Sequence, residues 1–266
     1  YSPELAEIVL EGDMLSDDDI AAAVLKGEVI PCMFGSALKM EGVDGERNGG
    51  GGMSKRKVLN RGFVELVEWM GGDAAVIRNA RRCWKSTSKG QESDRKLLKH
   101  LLLKGHKTPF EAMVFTFDIK CPLFVARQWH RHRIGSFNEE SLRYCVAERE
   151  YFVPEELPPE LQDKWREHNE ECFALYEQMI GTYRLRREAA RSLLPVGIYT
   201  RFYWTVNGSS LMNFLLLRTN RQAQKEIREY ARAILEMVME IAPWSFSIFQ
   251  EFLLGSGDTG RHEEKI

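Results

Sequence analysis

The chain has 266 residues, 44% of them apolar and 29% charged, with a formal net charge of −2. This is the balance of a soluble globular protein with one large domain, or one domain and an appendage. No apolar run reaches the roughly 18 residues of a membrane span, and no basic segment leads into an apolar core at the start. Neither a membrane helix nor a signal peptide is therefore expected, and the expected location is the cytoplasm. The cysteines Cys32, Cys83, Cys121, Cys145 and Cys172 are odd in number and lack metal-ligand spacing. Scattered reduced thiols fit this pattern, and no structural zinc site is expected.

The charge is unevenly spread. Residues 1–52 hold 11 acidic and 3 basic side chains, a balance of −8, whereas residues 53–266 hold 28 and 34, a balance of +6. The larger part is basic and arginine-rich, which suits anionic ligands such as nucleotides, phosphates or nucleic acid.

Residues 1–47 read as a separate piece. Ser16-Asp17-Asp18-Asp19 supplies a helix N-cap with acids in the first turn, a short helix follows from Ile20 to Leu25, and Glu28 to Phe34 reads as a strand. Glu4 to Gly12 and the run Ile30 to Val43, which contains Gly35-Ser36-Ala37-Leu38-Lys39, resemble translational GTPases of the elongation factor G and tetracycline-resistance type. In that family the Ser-Ala-Leu-Lys run is the last guanine-binding loop. No Gly-x-x-x-x-Gly-Lys-Ser/Thr phosphate loop occurs in the chain, so no GTPase activity is expected. A piece this short buries too little surface to fold well alone, and it reads as a partly ordered fusion remnant. Asn48-Gly49-Gly50-Gly51-Gly52 is a flexible linker by composition. Met53 follows, where an original start would fall. The boundaries are thus 1–47 for the fragment, 48–53 for the linker and 54–266 for the main domain.

From there the pattern predicts a mixed α+β domain with no regular strand–helix alternation. Val58 to Met70 reads as a strand pair. After the Gly71-Gly72 turn, Asp73 caps a helix running to about Trp84, and Ser93-Asp94 caps a second, which carries Leu97, Leu98, Leu101, Leu102 and Leu103 and ends at Gly105. Phe115, Phe117 and Ile119 alternate with polar residues, as in a half-buried strand. Pro122 permits a helix from Phe124 to His132. Tyr151 to Val153 is a short strand. Pro158-Pro159 opens a long helix with Leu161, Trp165, Cys172, Tyr176, Met179 and Tyr183 on one face and a break near Gly181. Glu188 to Leu194 is helical and stops at Pro195; Tyr199 to Val206 is a strand. Ser209 or Ser210 caps a helix to Arg218. The spacing of Ala223, Ile227, Tyr230, Ile234, Val238 and Ile241 predicts a helix that Pro243 ends. The tail from Gly255 is polar and reads as frayed.

The run Arg131 to Tyr144 packs three arginines, a histidine, two glutamates, two serines and an asparagine between apolar segments. If Gln128 to Arg133 is helical, Gln128 and Arg131 share a face while His132 and Arg133 point elsewhere, so one element could serve two ligands. Arginine suits phosphate because its planar fork makes two hydrogen bonds at once. Residue chemistry leaves three readings open: a nucleotide site with Glu139, Ser141 and Arg143, a surface helix paired with nearby acids, or a nucleic-acid patch with Trp129 and Tyr144. Glu139-Glu140 weakens the last by repelling phosphate.

Arg131-His132-Arg133 followed after seven residues by Ser141, extended as Asn138-Glu139-x-Ser141-x-Arg143-Tyr144, is similar to the signature of the flavin-dependent thymidylate synthases. Collinear stretches resemble the same family: Gly62 to Val67, His106 to Glu111, Phe124 to Trp129, Leu194-Pro195, Tyr199 to Phe202, Trp204 to Asn207, Ser210 to Phe214, and Arg218 with Ala223-Gln224. The resemblance covers about residues 54 to 253. It implies methylation of dUMP to dTMP, with methylenetetrahydrofolate giving the carbon, FAD the hydride and NADPH reducing the flavin. It also implies a homotetramer with shared active sites and no nucleic-acid or membrane partner. Residue by residue it implies FAD contacts at Thr108, Arg131, His132, Arg133, Glu139, Asn207, Ser209 and Asn213. The dUMP contacts it implies are Gln128, Arg131, Glu139, Glu140, Ser141, Arg143, Arg191 and Arg218. His106 matches a histidine near flavin and folate, and Arg218 the arginine that promotes ionisation of the uracil ring. Ser209 and Gln222 stand where some members carry an arginine and a histidine. On this reading Ser141 contacts the nucleotide without attacking it, Cys145 is structural, and no metal is needed. The alternative is a non-catalytic basic nucleotide- or RNA-binding protein that keeps the fold.

Overall fold

A computed structural model describes residues 55–255 of the chain. The expectations for residues 1–47, for the linker 48–53 and for the tail beyond Gly255 lie outside the described residues. The described part is α+β. Its sheet has five strands, β1 (Lys55–Val58), β2 (Gly62–Met70), β3 (Val114–Pro122), β4 (Ser136–Glu139) and β5 (Tyr199–Asn207), ordered β1-β2-β3-β5-β4. Every pairing is antiparallel. The helices are α1 (Asp73–Arg82), α2 (Gln91–Leu103), α3 (Leu123–Trp129), α4 (Pro159–Gly181), α5 (Arg187–Ala190), α6 (Gly208–Arg218), α7 (Lys225–Ile241) and α8 (Pro243–Phe249).

Side chains alternate across a strand, so each long strand offers one face to the core. Phe115, Phe117 and Ile119 in β3 and Phe202, Trp204 and Val206 in β5 are buried. Trp129 of α3, Phe214 of α6 and Tyr230 of α7 cover them, with Trp129 stacked on Phe214 at 4.9 Å and edge-on to Trp204 at 5.5 Å between ring centroids. Each such ring contributes about 1.5–3 kcal/mol by burial, and this aromatic layer pins α3 and α6 at fixed positions over the sheet. The opposite face is polar. Arg201 pairs with the carboxylate of Asp118, and Thr116 meets Thr205 at 3.0 Å. Gly62 is forced by close approach: a Cβ there would fall on the Tyr230 hydroxyl and 2.7 Å from the carbonyls of Val58 and Lys120.

Several local expectations are corrected by distant partners. The strand pair is Lys55–Val58 with Gly62–Met70, so its turn occupies residues 59–61. Asp73 does not cap α1. Its carboxylate accepts from the backbone N–H of Trp244 at 2.8 Å and Ser245 at 2.9 Å, supplying the acceptors that the first turn of α8 needs. Pro243 does follow the end of α7 at Ile241, as expected, and it also opens the next helix. Asp94 is no cap either; α2 begins at Gln91, and buried Asp94 accepts from Arg81 Nε at 3.0 Å and Nη2 at 2.5 Å and from the Ser88 hydroxyl. The cap of α6 is Asn207, whose side chain accepts from Ser210 N at 2.8 Å, in place of either serine. The short 3₁₀ turn Thr108–Ala112 and strand β4 were not anticipated. Tyr151 makes only a single bridge, to Ile198. The expected stripe of α4 is rotated: Asn169, Phe173 and Tyr176 are buried, while Leu161 and Trp165 are exposed. The segment expected to be helical from Glu188 to Leu194 is α5 followed by a 3₁₀ turn over Arg191–Leu193. Cys145, expected to be structural, is exposed.

Candidate functional site

The dense polar run is not one helix. α3 ends at Trp129, earlier than the expected His132, because the chain must leave it in time to pair β4 with β5 from Ser136. Between the two, His130 N, Arg131 N and His132 N bond to the carbonyls of Ala126, Gln128 and Trp129 at 2.9, 3.3 and 2.8 Å. In this tightened turn Arg131 and Arg133 are exposed, whereas His132 turns inward and is 6% exposed. Its Nε2 lies 2.8 Å from the Ser210 hydroxyl, and its ring meets Trp204 and Phe214 edge-on. Burial, helped by the nearby Arg218 charge and opposed by the bond to Ser210, lowers its basicity below that of an ordinary histidine. His130 packs edge-on against Phe137 and Phe202, and its buried Nε2 has no partner.

Arg218 closes α6 and points back at α3. Its Nη2 donates to the Gln128 carbonyl at 3.3 Å. Burial, with Arg131 beside it, pulls the guanidinium below the ordinary arginine value, and among the described residues no carboxylate offsets either effect. Arg218 Nε and Gln128 Oε1 are buried without a hydrogen-bond partner. Buried polar atoms are normally satisfied, so a half-buried cation with an orphan donor and a second cation beside it, together with the orphan amide oxygen of Gln128, describes a place for a polar ligand that both accepts and donates hydrogen bonds.

A second group lies where α2, the 3₁₀ turn and α6 meet. His106, Ser209 and Asn213 edge a solvent-open concavity whose walls are Leu101, Leu102, Phe110, Met212, Leu216 and Phe249. Apolar walls with few polar groups suit a planar heteroaromatic ring, which the flavin ring is. Thr108 is exposed at the start of the adjoining 3₁₀ turn. Asn207 spends its side-chain oxygen on the α6 cap.

A third group follows β4. Glu139 accepts from Thr200 Oγ1 at 2.7 Å, and Glu140 N bonds to the Arg201 carbonyl at 2.9 Å. Ser141 Oγ accepts weakly from Arg143 N at 3.4 Å, and Arg143 Nε lies 3.7 Å from Glu188. Arg187 donates to the Tyr144 carbonyl at 2.6 Å, tying this loop to α5, after which Arg191 is exposed. Thr200, which bonds to Glu139, and Ser210, which meets His132, were named in the sequence only within family-like stretches and, for Ser210, as a possible cap, with no contact assigned to either. The signal for Thr200 was its place on the inward-facing positions of β5.

A family model described as "Thymidylate synthase complementing protein" matches residues 65–244. The flavin-dependent thymidylate synthase of Thermotoga neapolitana is 43% identical over 206 residues, covering 74% of this chain and 95% of that one. The one from Thermus thermophilus is 39% identical over 221 residues, covering 77% and 82%. Among solved structures, the UMP/dUMP methylase PolB of Streptomyces cacaoi bound with 5-Br dUMP superposes with a TM-score of 0.67 at 28% identity, covering 74% of this chain and 98% of that one. With its arginine cluster, its apolar concavity and these likenesses over the same span, the chain belongs to the family of flavin-dependent thymidylate synthases.

Proposed function

We propose that this chain methylates dUMP to dTMP, taking the carbon from methylenetetrahydrofolate, with NADPH as the reductant. Bound and reduced, FAD would supply the hydride. The observation that carries the reading is the Arg218–Gln128–Arg131 cluster with its orphan buried atoms. Uracil is a poor nucleophile at carbon 5. A guanidinium against its carbonyl edge favours the anionic ring and so places negative charge at that carbon, and the second cation strengthens the effect. Half-burial of Arg218 raises the worth of this interaction above its value in water.

No enzyme nucleophile is required. Among the described residues, the hydroxyl of Ser141 has a backbone N–H as its hydrogen-bond partner and no base bonded to it. Glu139, Glu140, Ser141, Arg143 and Arg191 are assigned to the nucleotide. Thr108, Arg131, Arg133, Glu139, Asn207, Ser209 and Asn213 are assigned to FAD, and His106 to the flavin and folate vicinity. His132 joins them by orienting the turn between Arg131 and Arg133. These residues sit in three groups held by different elements, which suits a homotetramer whose sites are completed by a second copy. The relatives' names favour catalysis over the non-catalytic nucleotide- or RNA-binding alternative.

The test is dTMP formation from dUMP with methylenetetrahydrofolate, FAD and NADPH, alongside flavin absorbance of the purified protein. Yellow protein that turns over supports the reading. Colourless protein that does not bind added FAD overturns it.

A further inference from the structure

We propose that Ser210 is a positioning residue for the arginine cluster, clasping the His132–Ile134 turn so that Arg131 and Arg133 lie along α6 at a fixed setting from Arg218. This rests on the function proposed above and assigns a role within that site.

The geometry is a pair of clasps. At one end of α6 the Ser210 hydroxyl donates to the Ile134 carbonyl at 2.5 Å and meets His132 Nε2 at 2.8 Å. At the other, Arg218 Nη2 holds the Gln128 carbonyl at 3.3 Å. Ser210 and Arg218 are eight positions apart on α6, about 12 Å at 1.5 Å per residue. The chain from Gln128 to Ile134 is therefore fastened to one helix at both ends, and Arg131 and Arg133 project from the fastened stretch. Ser210 is itself held: its N–H donates to Asn207 Oδ1 at 2.8 Å, and its side chain is buried.

Proton counting fixes a chemical consequence. A hydroxyl has one proton, and a carbonyl only accepts. The Ser210 proton is committed to Ile134, so His132 must donate from Nε2 and carry its lone pair on Nδ1. The clasp thus selects one neutral tautomer of His132. Neutrality matters here, because a charged imidazole would add a further cation beside Arg218.

The test has two arms. In protein with ¹⁵N-labelled histidine, with the His132 signals assigned by their loss in His132→Gln, nitrogen shifts near pH 7 report the tautomer directly. A neutral Nε2–H ring is expected; an Nδ1–H ring or a protonated one overturns the proposal. This arm needs neither flavin nor substrate, so it stands even if the functional reading falls. In the kinetic arm Ser210→Ala frees the turn. Its kcat/KM for dUMP is expected to drop on the order of 10- to 100-fold, since displacing a binding group by about 1 Å costs rates of that order. Ser210→Thr keeps the hydroxyl and is expected to restore kcat/KM to within about threefold of the unaltered protein. Unchanged kinetics in Ser210→Ala, or a loss that a folded Ser210→Thr does not rescue, overturns it. Failure of the unaltered protein to make dTMP counts against the function instead, leaving the clasp to the tautomer measurement.

Discussion

Replacing Arg218 with alanine separates a catalytic from a structural role. The side chain makes one hydrogen bond, from Nη2 to the Gln128 carbonyl, and leaves Nε unpaired while half-buried beside Arg131. A charge-assisted bond of this kind is worth about 1.5–3 kcal/mol. Its loss is offset by relief of an unpaired, desolvated cation next to another cation, which is an unfavourable arrangement in the folded protein. The net change should therefore stay under about 2 kcal/mol, a Tm shift of at most about 4–8 °C for a domain of this size. Turnover should respond quite differently. Removing one donor aimed at developing negative charge costs on the order of 10²–10³ in rate, or about 2.7–4 kcal/mol. The assays are tritium release from dUMP labelled at carbon 5, thermal melting, and flavin titration. Arg218→Ala should keep its fold and its flavin affinity while losing at least two decades of dTMP formation. Near-normal turnover would refute the electrostatic role; unfolding on substitution would show that Arg218 is a structural cation.

Asp94→Ala should destabilise by about 3–5 kcal/mol, because it strands the buried Arg81 guanidinium, and lower Tm by about 6–20 °C; a drop under 2 °C would mean the pair is solvated. Burial alone would raise the Asp94 carboxyl, but bonds from Ser88, Arg81 and the Lys89 N–H bring it below the usual carboxylate value. Its contribution is thus full above about pH 4 and fades as the pH falls through the folded value. Ser141→Ala should raise KM for dUMP with kcat within about tenfold of normal; abolished kcat at unchanged KM would restore Ser141 as a nucleophile. Unfolded His132 takes up a proton near pH 6.5, while the buried ring does so only at lower pH, so the native state binds fewer protons in that window. Stability from this site is full above about pH 6.5 and falls as the pH drops below it. His132→Gln should flatten the melting curve's pH dependence between pH 7.5 and 5.5, and an unchanged slope would exclude His132 as its source.

Strand and helix periods were legible wherever one neighbourhood of the chain decides them. Alternation in Val114–Pro122 and Tyr199–Asn207 marks β3 and β5, and the apolar spacing up to Ile241 marks α7, because a half-buried element repeats its own pattern. Caps were less legible. Asp73 and Asp94 have the chemistry of N-caps and sit before helical spacing, yet each serves a partner far away in sequence: the first turn of α8 for Asp73, and Arg81 with Ser88 for Asp94. β4 was hidden because four polar-flanked residues form a strand only by pairing with β5.

The same division holds for the site. The run Arg131 to Tyr144 announced itself by residue type and by its likeness to a family signature, and that was enough to indicate a nucleotide and a flavin. Residue types could not say which side chains face outward. Three successive basic residues at positions 131 to 133 are split by folding, with Arg131 and Arg133 exposed and His132 buried against Trp204 and Phe214. Nor could they show that Gln128 and Arg218, ninety residues apart, share one buried polar spot with orphan atoms. Composition and local pattern follow from each residue and its near neighbours, whereas burial, unmet hydrogen bonds and the approach of like charges exist only once distant segments are packed together. That packing sets Arg218 beside Arg131.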